Sequence, residues 1–94
     1  MPLRIVWSAL ARSRLQEIYE CIGMDKPAAA ERLAIRIVAA VQVLRRHPYV
    51  GRIGRESGTR DLVIGKAPYI VAYEIRHSEV RITMIWHGAQ NRTT

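Results

Sequence analysis

The segment of residues 45–60, RRHPYVGRIGRESGTR, divides the chain into two parts that must fold differently. Pro48 blocks any helix that arrives from the N-terminal side, and Gly51, Gly54 and Gly58 disfavour an ordinary helix or a regular strand. The segment holds one acid, Glu56, and five arginines: Arg45, Arg46, Arg52, Arg55 and Arg60. We call it the basic segment. Guanidinium groups bind phosphates and carboxylates in a fork, so the basic segment predicts an acidic partner.

Before the basic segment, apolar residues recur at helical spacing in two stretches. The first begins after Ser8, a typical N-cap, and ends at Gly23, a typical C-cap residue. The second begins at Pro27, which fits the first turn of a helix, and runs to about residue 46. The two stripes consist of Ala11, Leu15, Ile18 and Ile22, and of Leu33, Ile37, Val41 and Leu44. The short connector predicts an antiparallel helical hairpin, preceded by a strand at residues 3–7.

After the basic segment, three strands are predicted at residues 60–64, 69–75 and 80–86, with turns at residues 65–68 and 77–78. Regular alternation gives the last strand an apolar face with Val80, Ile82, Met84 and Trp86. The fold class is therefore α+β. The order is β-α-α-β-β-β, in which a helical hairpin packs on one face of an antiparallel sheet, in a single domain of residues 1–94.

Composition limits the kind of partner. The net charge is +7, and arginines supply thirteen of the fifteen basic residues, which favours nucleic acid or an acidic protein. No apolar run approaches the roughly 20 residues that span a bilayer, so no membrane partner is expected. Cys21 is the only cysteine, which excludes an internal disulfide and suits a reducing cytoplasm. No metal-ligand spacing and no nucleotide-binding glycine loop is present, so neither a metal nor another cofactor is expected.

Short motifs follow one another along nearly the whole chain. They are Trp7 before a helix with LQEIY at 15–19, KPAAAERL at 26–33, HPYVGRIGR at 47–55, GTRDL at 58–62, PYIVAY at 68–73 and VRITMIWHGAQ at 80–90. In this order and spacing the chain resembles the RelE/ParE superfamily of toxins from type II toxin–antitoxin modules, and its KPAAAERL, PYIVAY and WHGAQ motifs resemble the ParE-like side.

The resemblance implies a cytoplasmic toxin that arrests growth and forms a hetero-oligomer with a cognate antitoxin. The antitoxin would wrap it with an extended, partly helical segment. ParE-like members inhibit DNA gyrase without hydrolysing anything, whereas RelE-like members cleave mRNA on the ribosome. We expect gyrase inhibition, with a ribosome-dependent mRNA endoribonuclease as the alternative and an inactive antitoxin-binding member as the third reading.

The resemblance also implies which residues would act if the chain is an mRNA endoribonuclease. RNA cleavage by the 2′-hydroxyl needs a base, a cation beside the phosphate and an acid for the leaving oxygen. Arg60 matches the RelE-like arginine, His87 matches a histidine that some nucleases use as the acid, and Glu56 is the nearby acid that matches no motif strictly. Arg60 is equally suited to an antitoxin carboxylate, and His87 to a structural or interface role.

Two departures weaken the nuclease reading. The basic segment contains no lysine, and no aromatic residue follows His87. Base stacking would fall to Tyr49, or to Tyr69 and Tyr73, for which core packing is favoured. Gln90 also stands where ParE-like chains carry a basic residue. The residues expected to bind the target or the antitoxin are Arg45, Arg46, Arg52, Arg55, Arg60 and Tyr49.

Overall fold

A computed structural model describes residues 2–65 and 69–88. Its elements are β1 (Arg4–Trp7), α1 (Ala9–Gly23), α2 (Pro27–Val43), β2 (Arg52–Ile53), β3 (Thr59–Ile64), β4 (Tyr69–Arg76) and β5 (Glu79–His87). The five strands form one sheet in the order β1-β5-β4-β3-β2. The predicted α+β class is confirmed. The predicted turn residues 66–68 and the predicted tail residues 89–94, with Gln90, lie outside the described residues.

Both helices begin where the sequence predicts. The Ser8 hydroxyl accepts a hydrogen bond from the Ala11 N–H at 2.9 Å and so caps α1. Pro27 occupies the first turn of α2. The regular α2 helix ends at Val43, three residues before the predicted end. The next three N–H groups, of residues 44–46, bond to carbonyls three residues back and tighten the chain before Pro48.

The helices bury their predicted stripes against one face of the sheet. Ile37, Val41 and Leu44 of the α2 side are fully buried against strand residues such as Val71 and Ile82. Tyr73 is also fully buried and Tyr69 nearly so, which confirms the core packing favoured for both rings. No helix of residues 2–65 and 69–88 has the length and apolar character needed to cross a membrane.

The sheet is mixed, so the prediction of an antiparallel sheet was wrong for one strand pair. β1 lies parallel to β5, with Ile5 beside Val80 and Trp7 beside Ile82, while the other pairs are antiparallel. A parallel pair needs a long crossover connection. The helical hairpin and β2–β4 lie between the two strands and supply that connection.

The basic segment contains a strand that was not predicted. Arg52 and Ile53 form β2 and pair with Asp61 and Arg60 at the edge of the sheet. The Gly54 N–H then donates to the Thr59 carbonyl at 2.8 Å and closes the connection. A Cβ at position 54 would lie 2.8 Å from the Thr59 carbonyl oxygen, so glycine permits this approach.

A β-bulge in β5 overturns the predicted alternation of that strand. Ala72 pairs with Met84 and Tyr73 pairs with Ile82, which leaves Thr83 as the extra residue. The buried side chains are consequently Val80, Ile82 and Ile85, whereas Met84 is half-buried on the opposite face. Regular alternation counts Thr83 as an ordinary strand residue and so assigns Met84 to the wrong face.

The bulge predicts unequal costs for truncating two neighbouring residues of β5. Ile85→Ala should lower the free energy of unfolding by about 2–5 kcal/mol, because it opens a cavity in the core. Met84→Ala should cost about 1 kcal/mol, because that side chain is only half-buried. Chemical denaturation of both variants measures the difference. A larger loss for Met84→Ala would mean that β5 has no bulge at Thr83.

Candidate functional site

The basic segment leaves the C-terminal end of α2, forms β2 and returns to the sheet as β3. Tyr73 holds this segment in place. It is a fully buried residue of β4, the strand beside β3. The Tyr73 hydroxyl donates to the Pro48 carbonyl at 2.7 Å and accepts from the Gly51 N–H at 3.0 Å. One core side chain thus satisfies two backbone groups of the segment.

Gly51 allows this contact because it has no side chain. A Cβ at this position would lie 2.9 Å from the Asp61 carbonyl oxygen and 2.8 Å from a carbon of the Tyr73 ring. Neither group can move easily, since one is backbone and the other is a packed ring. A side chain at position 51 would therefore separate the segment from Tyr73.

Burial raises the pKa of Tyr73, although the hydrogen bond from Gly51 and the charge of Arg60 oppose that rise. Burial is also the main reason that the pKa of Tyr69 is raised. The Tyr73 hydroxyl is therefore protonated at neutral pH and can donate to Pro48. Its contribution to stability is complete below about pH 10 and is lost as the pH rises through the raised pKa.

Arg60 fixes the same loop from β3. One terminal nitrogen, Nη1, donates to the Gly51 carbonyl at 2.7 Å and to the Tyr49 carbonyl at 3.3 Å. The guanidinium carbon lies 5.0 Å from the centre of the Tyr49 ring, which adds a cation–π contact. Of the predicted site residues, Arg60 and Tyr49 are thus brought together.

The other four arginines of the basic segment are exposed. Arg45 bonds through Nε to the Leu3 carbonyl at 3.1 Å, which ties the segment to the chain just before β1. Within residues 2–65 and 69–88, Arg46, Arg52 and Arg55 make no ion pair with a carboxylate. Their charges face solvent and remain available to an acidic partner.

His87 lies elsewhere on the sheet. It ends β5 opposite Tyr69, and the two rings meet edge to face at 5.0 Å with an interplanar angle of 83°. Arg60 lies on β3, two strands away from His87 on β5. It pairs with Tyr73, which is four residues along β4 from Tyr69, the partner of His87. Standard strand spacings then separate the backbones of Arg60 and His87 by about 17 Å.

Glu56 is exposed in the turn between β2 and β3, where its carbonyl accepts bonds from the Thr59 N–H and hydroxyl. The three residues considered for RNA cleavage therefore do not form one cluster. Across the described ranges no group of three or more His, Cys, Asp and Glu side chains is arranged to hold a metal ion. The chemistry that the segment offers is recognition of anions and apolar groups.

A shallow groove of about 260 Å³ lies beside Arg60. Its lining residues are Tyr49, Ile53, Gly58, Thr59, Arg60 and Ile75. Sequence reasoning missed Tyr73 and Gly51 as residues that shape this site. A signal was present, because a tyrosine at a core position usually needs a partner for its hydroxyl.

Comparison with known proteins gives the family. Residues 5–92 match the family described as ParE toxin of type II toxin-antitoxin system, parDE. Y4kP of Sinorhizobium fredii is 42% identical over 87 residues, covering 93% of this chain and 90% of that protein. Toxin RelE2 of Caulobacter vibrioides is 33% identical over 87 residues, covering 93% of this chain and 97% of its own length.

Solved structures agree in fold. The chromosomal ParDE toxin–antitoxin system from P. aeruginosa contains a chain that superposes with a TM-score of 0.82 at 23% identity, covering 90% of this chain and 95% of that one. A chain of the toxin–antitoxin complex RelBE2 from Mycobacterium tuberculosis gives a TM-score of 0.67 at 24% identity, covering 93% and 99%. By the family match and the sequence relatives, the chain belongs to the ParE toxin family of type II toxin–antitoxin systems, within the RelE/ParE superfamily.

Proposed function

We propose that this toxin arrests growth in the cytoplasm by binding and inhibiting DNA gyrase, and that a cognate antitoxin neutralises it in a hetero-oligomer. The observation that carries the proposal is the arrangement of the basic segment. Arg60 bonds to loop carbonyls, the backbone of His87 lies about 17 Å from that of Arg60 by standard strand spacings, and the other arginines of the segment are exposed. This arrangement supports a binding inhibitor better than a hydrolytic site.

A second function is favoured by the names of two relatives. Toxins RelE2 and RelE1 of Caulobacter vibrioides are 33% and 34% identical to this chain. The alternative is therefore a ribosome-dependent mRNA endoribonuclease that uses Arg60 and His87. It would require the two residues to act in separate steps or after a rearrangement of the sheet end, because their backbones are well separated.

The two functions predict different activities of the purified toxin. We expect the toxin to block DNA supercoiling by gyrase in a concentration-dependent way and to leave mRNA intact in a translating extract. Addition of the antitoxin should restore supercoiling. Inert behaviour toward gyrase together with mRNA cutting would establish the alternative, and failure in both assays with normal growth on induction would indicate an inactive member.

Replacement of His87 separates the two functions inside the cell. His87→Phe keeps an aromatic ring against Tyr69 but removes the group that can transfer a proton. We expect induction of this variant to arrest growth as the parent chain does. Loss of arrest by a variant with an unchanged unfolding midpoint would show that the imidazole itself is needed, as a nuclease requires.

Charge reversal in the basic segment should weaken the antitoxin complex. Arg52→Glu and Arg55→Glu should each raise the dissociation constant about two- to fivefold, because exposed ion pairs contribute about 0.2–1 kcal/mol. Titration calorimetry at low and high salt measures the effect, which should shrink as salt screens the charges. Arg12→Glu on α1 carries the same change in net charge and serves as the control. An equal loss for Arg12→Glu would assign the effect to overall charge instead of this segment.

A further inference from the structure

The basic segment carries an exposed apolar surface among its arginines. Tyr49, Val50 and Ile53 are 68%, 59% and 76% exposed. Tyr49 and Ile53 line one groove with Arg60. Arg52 is exposed too, but it precedes Ile53 on β2 and its side chain therefore points to the opposite face of the strand. We call Tyr49, Val50 and Ile53 the docking patch. Tyrosine and arginine are the residue types that most often dominate protein interfaces, and exposed apolar side chains that cluster together mark such surfaces.

The docking patch rests on a fixed backbone. Four hydrogen bonds from two side chains hold residues 48–51: Tyr73 bonds to Pro48 and Gly51, and Arg60 bonds to Tyr49 and Gly51. Immediately after them, β2 pairs with β3. A surface that is ordered before binding does not lose loop entropy when a partner arrives.

We propose that the docking patch is a preformed binding surface for a segment of the antitoxin that carries carboxylates beside apolar side chains, and that Tyr73 and Arg60 act as its positioning residues. The inference rests on the toxin–antitoxin assignment and deepens the proposed function, since it locates where the neutralising partner binds. It also gives Arg60 a role that requires no contact with RNA phosphate.

The chemistry of the patch selects a protein over a nucleic acid. Tyr49 offers a ring on which a base can stack, but Val50 and Ile53 offer only aliphatic surface, which gains by burial against other apolar side chains. A second copy of this chain is a poor occupant, because two chains of net charge +7 repel each other. Carboxylates beside apolar groups complement the docking patch together with the exposed arginines that flank it in the basic segment.

The first experiment compares two hydroxyl deletions on one strand. Tyr73→Phe removes both hydrogen bonds of the Tyr73 hydroxyl to the basic segment. Tyr69→Phe is the control, because it also removes a tyrosine hydroxyl from β4 but its ring contacts His87. Native-state hydrogen exchange should show faster exchange of the Gly51 amide in Tyr73→Phe alone. Its dissociation constant for the purified cognate antitoxin should rise about three- to tenfold at a temperature where both variants are fully folded.

Three outcomes would overturn the proposal. One is an unchanged Gly51 exchange rate, and another is an equal loss of antitoxin affinity in both tyrosine variants. The third is a raised half-inhibitory concentration against gyrase with unchanged antitoxin affinity, which would assign the patch to the target. Failure of the parent toxin to inhibit gyrase would refute the proposed target but leave this test of antitoxin binding valid.

A double-mutant cycle tests whether Arg60 acts through the loop. Arg60→Lys keeps the charge and loses the guanidinium nitrogen Nη1, which donates to both the Tyr49 and the Gly51 carbonyls. If both residues position the same four-residue loop, the double variant with Tyr73→Phe should lose less affinity than the product of the single losses. Strictly multiplicative losses would mean that Arg60 contacts the antitoxin independently, against the proposal.

A matched pair of surface substitutions tests the patch itself. Ile53→Thr and Val63→Thr each replace an exposed β-branched side chain on a strand with another β-branched residue. We expect Ile53→Thr to weaken antitoxin binding about fivefold or more, even in high salt, and Val63→Thr to change it less than twofold. Equal effects, or none at Ile53, would exclude the docking patch as the interface.

Discussion

The hydroxyl of Tyr73 connects the hydrophobic core to the surface that faces a partner. The ring packs among the core residues, and its oxygen reaches the Pro48 carbonyl and the Gly51 N–H. Because the ring cannot shift without opening the core, the backbone of the basic segment inherits the rigidity of the sheet. Tyr73 and Arg60 thus hold Gly51, the residue just before β2, by its N–H and its carbonyl.

Acidic side chains pair with arginines on the sheet, whereas the basic segment has few acids of its own. Glu79 pairs with Arg4 at 2.7 Å and with Arg81 at 3.5 Å, while Glu74 lies 3.8 Å from Arg76. Two acids therefore form ion pairs with three arginines on the sheet face away from the helices. The basic segment has five arginines and one acid, Glu56, so it carries four of the seven net positive charges of the chain.

Periodicity predicted the helical hairpin and most strands because each element buries one face, and the stripe containing Ile37 and Val41 has few alternatives. It did not predict β2, whose two residues pair with Asp61 and Arg60 and carry no apolar pattern. Periodicity also missed the bulge, because the position of the extra residue depends on how β5 pairs with β4. For the site, the exposed arginines were evident from composition. The partners of Arg60 were not, because they are backbone groups brought close by the fold.

Ser8 and Thr83 give the bulge a wider consequence. The Ser8 hydroxyl caps α1 and also donates to the Thr83 carbonyl at 3.1 Å, and the Thr83 hydroxyl donates to the Ala72 carbonyl at 3.2 Å. The extra residue thus ties the start of α1 to β5 and to the neighbouring strand β4. Loss of Thr83 would leave Ala72 paired with Met84 and Tyr69 paired with His87 in a regular ladder, but it would remove both of these hydrogen bonds of the bulge. A one-residue deletion at this position should therefore loosen the start of α1 and leave the two faces of β5 unchanged.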